Sequence, residues 1–237
     1  MNRLGIGILS LAVFLAACED PAANKTKATT TNSTTLTTNT TTNSTSVGMM
    51  SGPVGVTPSN RIAPKMETKG TALPLTPENS KVEFTGSKVT GKHDGGFKAF
   101  TGAIDLVNAK PEDSRVVIDI DANSIYTENE DLTGHLKSAD FFDVAAFPKA
   151  NFTSTQIVPD AGLGAGNYTV TGDFSLHGQT KAITFPAKIT ISDAEVAVES
   201  EFSINRKDFG IAYAGKIDDL IRDDVVIRLN LKSPRSK

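Results

Sequence analysis

From Lys81 onward, apolar and polar residues alternate in short runs. Val82 and Phe84 lie on one face of a first strand, and Phe100, Gly102, Ile104 and Leu106 share the face of the next. Val116, Ile118 and Ile120 alternate with Val117, Asp119 and Asp121, and Phe152 begins a further strand. Tyr168, Val170, Gly172, Phe174 and Leu176 share a parity, with Thr169, Thr171, Asp173 and Ser175 between them. Ile183, Phe185, Ala187, Ile189 and Ile191 repeat the pattern, as do Phe202 and Ile204, and then Val225, Ile227, Leu229 and Leu231. A period of two puts one face of each run on a core and the other in water, which predicts half-buried antiparallel strands joined by short turns. Asp94-Gly95-Gly96 reads as one such hairpin turn, because glycine reaches positive φ without strain.

One helix interrupts the strands. Thr127-Glu128-Asn129-Glu130 fits a capping box, with Glu130 three residues after Thr127. Leu132 and Leu136 then stand one turn apart on a face shared by His135. The helix ends before Phe147-Pro148, since a residue preceding proline avoids the α region. Asp218 to Ile221 reads as a second short helical turn. About eight strands with one short covering helix predict an all-β fold, an eight-stranded antiparallel β-barrel whose closure removes exposed edges. A barrel of that size either fills with side chains or encloses one small ligand.

The front of the chain has no such period. Arg3 precedes a run from Leu4 to Ala17 that is apolar or small and carries no charge, ending at Leu15-Ala16-Ala17 before Cys18. A helix rising about 1.5 Å per residue needs roughly 20 apolar residues to span a bilayer, so this run reads as a removed signal peptide, residues 1–17. Leu15-Ala16-Ala17-Cys18 resembles the lipobox of bacterial lipoproteins, in which the cut falls before the cysteine and the cysteine carries the lipid. Cys18 is the single cysteine of the chain, so no intramolecular disulfide forms. Asn24 to Ser46 is nearly all Thr, Asn and Ser, too polar to offset its ordering entropy. Residues 18–73 therefore read as a disordered tether and residues 74–237 as the barrel domain.

Composition narrows the function. Roughly 160 residues suffice for one domain with a real core. Six basic and three acidic residues precede position 74, which leaves 18 basic against 24 acidic, a net of about −6 for the domain. A surface that binds phosphate backbones needs a basic excess, so nucleic acid is excluded as a partner. His93, His135 and His177 have no close-spaced ligand partner, and no metal site or cofactor is expected. No phosphate-binding glycine loop or nucleophile elbow occurs.

Five ordered strings carry a resemblance. They are Gly95-Gly96-Phe97-Lys98-Ala99-Phe100-Thr101-Gly102; His135-Leu136-Lys137-Ser138-Ala139-Asp140-Phe141-Phe142-Asp143; Phe147-Pro148-Lys149-Ala150-Asn151-Phe152-Thr153-Ser154; Gly172-Asp173-Phe174-Ser175-Leu176-His177-Gly178-Gln179-Thr180-Lys181; and Asn205-Arg206-Lys207-Asp208-Phe209-Gly210-Ile211. In this order they resemble the YceI-like family of bacterial envelope proteins, over roughly Pro77 to Ser233. The resemblance implies a lipocalin-like barrel with an elongated apolar cavity, associated with polyisoprenoid chains such as quinone or polyprenyl tails, or with other long amphiphiles. Members are not generally known as enzymes.

The expected function is therefore non-enzymatic binding, transport or sequestration of a long-chain lipid or isoprenoid in the cell envelope. The domain would sit in the periplasm or at the outer surface, held to a membrane through lipidated Cys18. An envelope interaction or stress-response module with a filled barrel is the alternative, and a homodimer stays open. Phe84, Phe100, Ile118, Phe174, Phe185 and Phe202 are the expected cavity wall, against the simpler reading that each is core packing. His135, Leu136, Phe141 and Phe142 form either a mouth over the barrel or a plug in its end. Arg206 shares strand parity with Phe202 and Ile204, where an unpaired charge is costly. It either meets a ligand head group or pairs locally with a carboxylate such as Asp208.

Overall fold

The computed structural model describes residues 19–33 and 68–235. In chain order its strands are β1 (Thr29–Asn32), β2 (Thr71–Leu75), β3 (Lys81–Lys88), β4 (Gly91–Phe97), β5 (Phe100–Leu106), β6 (Arg115–Asp121), β7 (Ile125–Thr127), β8 (Lys149–Pro159), β9 (Asn167–Leu176), β10 (Gln179–Ile191), β11 (Glu195–Asn205), β12 (Gly215–Lys216), β13 (Asp219–Leu220) and β14 (Asp224–Pro234). One α-helix, α1 (Glu130–Lys137), follows β7.

Twelve of these strands form one sheet, while β12 and β13 make a small hairpin of their own. The sheet returns on itself because three of its strands bend rather than end. β2 passes into β3 through Thr76–Ser80, β4 into β5 across Lys98 and Ala99, and β6 into β7 through Ala122–Ser124. The pairs β2–β5 and β3–β4 are then one seam, and β5–β6 and β4–β7 another. Counted this way, the order is β2/β3, β4/β5, β6/β7, β8, β9, β10, β11, β14 and back to β3. This is the all-β, eight-stranded antiparallel barrel that the alternation predicts, with one helix.

Several local expectations are corrected. Asp94-Gly95-Gly96 lies inside β4, and the turn is Val89-Thr90, between paired Lys88 and Gly91. The glycine at 95 serves close approach: a Cβ there would lie 2.5 Å from Cζ of Phe84 on the neighbouring strand. Gly172 does the same for Phe152, at 2.4 Å. The N-cap of α1 is Asn129, whose side chain accepts from the Leu132 N–H at 2.9 Å. Thr127 belongs to β7 and accepts from the Asn129 N–H instead, and asparagine is the stronger cap of the two. Asp218 to Ile221 is no helical turn but the return half of the β12–β13 hairpin.

The tether reading is corrected at both ends. Residues Thr71–Leu75 are the edge strand that pairs with β5. Residues 19–33 lie against the barrel, and β1 pairs with Lys181–Thr184 of β10. Threonine is β-branched and fits a pleated surface, so a Thr-rich run becomes a strand once an unpaired edge is offered to it. Cys18, the run from Leu4 to Ala17 and residues 34–67 of the expected tether lie outside the described residues.

Burial divides the barrel along its axis. Leu75, Ile104, Ile157, Val198 and Leu231 are buried without bordering open space and fill one end. The other end, beneath α1, is hollow.

Candidate functional site

The hollow end holds a cavity of about 390 Å³, within the range of pockets that take small ligands. Its wall is built by strand parity. Phe84 on β3 faces Ile227 on β14, which faces Phe202 on β11. Phe152 on β8 stands between Ile118 on β6 and Phe174 on β9. Phe185 on β10 stacks on Phe202 with ring centroids 4.2 Å apart and planes 11° apart. Phe185 also meets Phe152 at 5.6 Å. Because interior positions recur every second residue, each strand contributes one or two apolar groups at this level and the wall is continuous.

The open end is rimmed by α1 and by the connections after β3 and β11. Leu132, His135 and Leu136 of α1 line the cavity, with Phe141 and Phe142 beyond the helix. Phe97 meets Phe142 edge-on at 6.0 Å. His135 lies edge-on to Phe141 at 5.0 Å and to Tyr213 at 5.2 Å, and its Nε2 is 2.9 Å from Asp140 Oδ2. Ion pairs complete the rim. Lys88 pairs with Asp219, His93 with Glu128, and Arg222 with Asp20 at 3.3 Å. The hydrogen bond from Lys88 holds the Asp219 carboxyl below its ordinary value. Burial works to raise Glu128, but hydrogen bonding with His93 and with backbone N–H groups outweighs it, and this carboxyl is also lowered. The Ser87 hydroxyl is buried at this end and has no hydrogen-bond partner among the described residues.

Of the residues expected at the site, Phe84, Ile118, His135, Leu136, Phe141, Phe142, Phe174, Phe185, Phe202 and Arg206 line the cavity. Phe100 does not. It has the right parity, and its register partner Ile120 lines the cavity, but Phe100 itself is buried core packing. His135 and its neighbours make a mouth rather than a plug, since the space beneath them is open.

Arg206 resolves in favour of a local structural role, with a different partner. It is 5% exposed. Its guanidinium donates to the carbonyls of Ile211 (2.8 Å), Arg222 (3.1 Å) and Ile221 (3.4 Å), and to the Asp223 carboxylate (3.3 Å) rather than to Asp208. Burial lowers its pKa, opposed by Asp223, and the guanidinium stays charged. Parity would have found Phe152, Ile183 and Ile227, which also line the cavity. Tyr213 and Ile221 lie in an irregular connection, and no periodic signal marks them. The three histidines are held apart by different partners, His177 by the Phe209 carbonyl at 3.1 Å. Among the described residues, no group of three His, Cys, Asp or Glu side chains is placed to hold a metal.

Known proteins share this fold. The YceI-like domain family matches residues 74–233. A UPF0312 protein of Pseudomonas putida (strain W619) is 32% identical over 139 residues, which is 56% of this chain and 71% of that protein. A UPF0312 protein of Pseudomonas fluorescens (strain SBW25) is 31% identical over 137 residues, 55% of this chain and 70% of that one. Two solved structures share the fold. BcnA of Burkholderia cenocepacia superposes with a TM-score of 0.61 at 22% identity, over 67% of this chain and 99% of that one. A polyisoprenoid binding domain from Saccharophagus degradans, implicated in plant cell wall breakdown, superposes with a TM-score of 0.56 at 18% identity, over 70% and 100%.

Proposed function

The chain belongs to the YceI-like family, and from that premise we propose that its hollow end binds the apolar tail of a long amphiphile, a polyisoprenoid or a similar lipid, without catalysis. The observation that carries the reading is the cavity itself: one end of the barrel is packed solid and the other is an aromatic-walled pocket with a mouth. The Saccharophagus degradans protein of the same fold is a polyisoprenoid binding domain, and a polyisoprenoid is the chemistry such a wall suits. Each buried methylene contributes about 0.8 kcal/mol, so ten carbons of a prenyl tail contribute roughly 8 kcal/mol before association and ordering costs. The polar head would stay at the rim, where the Ser87 hydroxyl is the buried group in want of a partner. An interior without space would favour the filled-barrel alternative, and the hollow end supports the binding reading instead.

The test is lipid extraction and mass spectrometry of protein purified from its own membrane, followed by uptake of added prenyl alcohol in detergent solution. Ala150 is buried on β8, lines the cavity and faces Ile120 on the next strand. Ala150→Phe puts a ring into the space and is expected to weaken uptake at least tenfold. Protein that is empty as purified and takes up no prenyl chain would end this reading.

The same proposal places the domain in the cell envelope, anchored by lipid on Cys18. Stable anchoring needs more than one acyl chain, as lipoproteins generally carry. Cys18→Ser is expected to abolish incorporation of a labelled fatty acid into the protein. Unchanged labelling of that variant would rule the anchor out.

A further inference from the structure

Large apolar residues are exposed at few places among the described residues, and three of them meet at the cavity mouth. Ile217 at the tip of the β12–β13 hairpin is 98% exposed, Val89 in the β3–β4 turn 55% and Leu220 49%. The two hairpins are one unit: the Val89 N–H donates to the Leu220 carbonyl at 3.1 Å, and Lys88 bridges to Ile221. Lys88, Lys216, Asp219 and Ile221 of this unit also line the cavity. So the apolar tips stand on the rim of the pocket, not elsewhere on the barrel.

A second feature falls on the same rim. Residues 19–25 lie beside Gly91 and Lys92 of the β3–β4 hairpin, and Asp20 pairs with Arg222 at 3.3 Å. The apolar run Leu4–Ala17 and Cys18 immediately precede this point in the sequence. Glu19, the first described residue, therefore lies at the open end, on the side of the exposed apolar tips.

From this coincidence we propose that the open end of the barrel is a membrane-docking face, with Ile217, Val89 and Leu220 entering the apolar edge of a lipid bilayer. The mouth then opens onto the bilayer, and a lipid tail passes between membrane and cavity without crossing water. The rim carries both signs of charge. Lys88 is paired with Asp219 and Arg222 with Asp20, while Lys216 and Asp218 flank Ile217 in the sequence. Apolar insertion rather than charge attraction holds the face, so the surface recognised is a neutral, zwitterionic bilayer and docking depends little on salt. That the passing molecule is the cavity's ligand rests on the binding function proposed above; the docking itself does not.

The test is flotation of the mature chain, residues 18–237 carrying Cys18→Ser, so that neither an acyl group nor the apolar run Leu4–Ala17 contributes, with vesicles of phosphatidylcholine and phosphatidylethanolamine. The Cys18→Ser chain is expected to float with the vesicles at low and at high salt. Ile217→Asp is expected to lower the bound fraction more than tenfold. Leu163→Asp, at an exposed apolar residue in the β8–β9 connection at the filled end, is expected to leave it unchanged. No flotation, equal loss in both variants, or a dimer in solution that Ile217→Asp dissolves without any vesicle binding would each overturn the proposal. Uptake of prenyl alcohol from detergent solution, run in parallel, separates the two readings. Ile217→Asp that takes up the chain but no longer floats supports the docking face. Failure of flotation alone leaves the binding reading standing, and failure of uptake by the parent removes that reading without touching the docking result.

Discussion

Arg206→Met is expected to destabilise the domain by about 3 kcal/mol, because the guanidinium is buried and satisfies three carbonyls of the connection that lines the mouth. Residues 211–223 leave the short helix Arg206–Phe209, run along the mouth and return to β14. Within them, the carbonyls of Ile211, Ile221 and Arg222 all accept from Arg206. The backbone is tied in the same place, since the Arg206 N–H donates to the Asp223 carbonyl at 2.9 Å. A methionine fills similar volume but donates nothing, so buried carbonyls lose their partners while the apolar contacts survive. At ~2–4 °C per kcal/mol for a domain of this size, the thermal midpoint should fall by about 6–12 °C. Lysine does not substitute, because a single ammonium cannot reach carbonyls spread around a planar fork. Urea unfolding of the Arg206→Met and Arg206→Lys variants checks this. A Met variant within about 0.5 kcal/mol of the parent, below the usual effect of losing a buried network, would mean the guanidinium is not structural and would return it to the ligand.

The same residue shows what the sequence makes legible and what it hides. Parity places Arg206 inward from Phe202 and Ile204, and the cost of an unpaired inward charge predicts a partner. The partner is named wrongly because Asp208 is close in sequence, while Asp223 and three carbonyls arrive from a connection 5 to 17 residues away. Cavity residues follow a similar rule. Alternation tells inside from outside on every strand, so five of the six wall residues expected on strands reach the pocket. It does not say which inward residues border open space and which are packed over, and Phe100 is packed over although its register partner Ile120 lines the pocket. Glycine is ambiguous in a different way. Gly95-Gly96 has the composition of a turn, but these residues are small so that Phe84 and Tyr126 can lie against them. The ring and the glycine are distant in sequence, and only the pairing of β3 with β4 brings them together.

The Thr/Asn/Ser run after Cys18 is the largest departure, and its cause is tertiary. β10 and β11 pair only from Lys188/Glu199 to Ile191/Val196. Past that point the two strands separate toward the open end. An isolated segment of this composition cannot fold, but two adjacent unpaired edges supply the partners that it lacks. The docking also changes how a membrane anchor would act. With residues 19–33 held against the wall, the barrel would not roam on a long leash from Cys18 but sit close to the anchoring point.

Removing residues 19–33 is accordingly expected to open the barrel wall. β1 pairs with β10 over four residues, Thr29 with Thr184 through Asn32 with Lys181. On the other side, the Ala28 N–H donates to the Ser203 carbonyl at 2.8 Å and the Ser203 N–H to the Thr26 carbonyl at 2.9 Å. The segment is thus a ninth strand wedged between β10 and β11, an internal form of strand addition. Ala22 and Ala28 are buried by it. The pairs Lys25–Glu201 at 2.7 Å and Lys27–Asp224 at 2.6 Å lie at the surface, where each contributes at most about 1 kcal/mol. Ser203 is 1% exposed, so its N–H and carbonyl lose partners that water reaches only after the wall loosens. A chain beginning at residue 34 should lose about 3 kcal/mol, with fast hydrogen exchange appearing at Ser203 and along Lys181–Thr184 while the β8–β9 pairing stays protected. The two bare edges should also make it associate at micromolar concentration, since an unpaired strand edge is a template for another chain. A synthetic peptide of residues 19–33, added in trans, should restore both protection and the monomer. If the truncated chain keeps the parent's unfolding midpoint and exchange pattern, the segment only rests on the surface and β10 and β11 close the barrel without it.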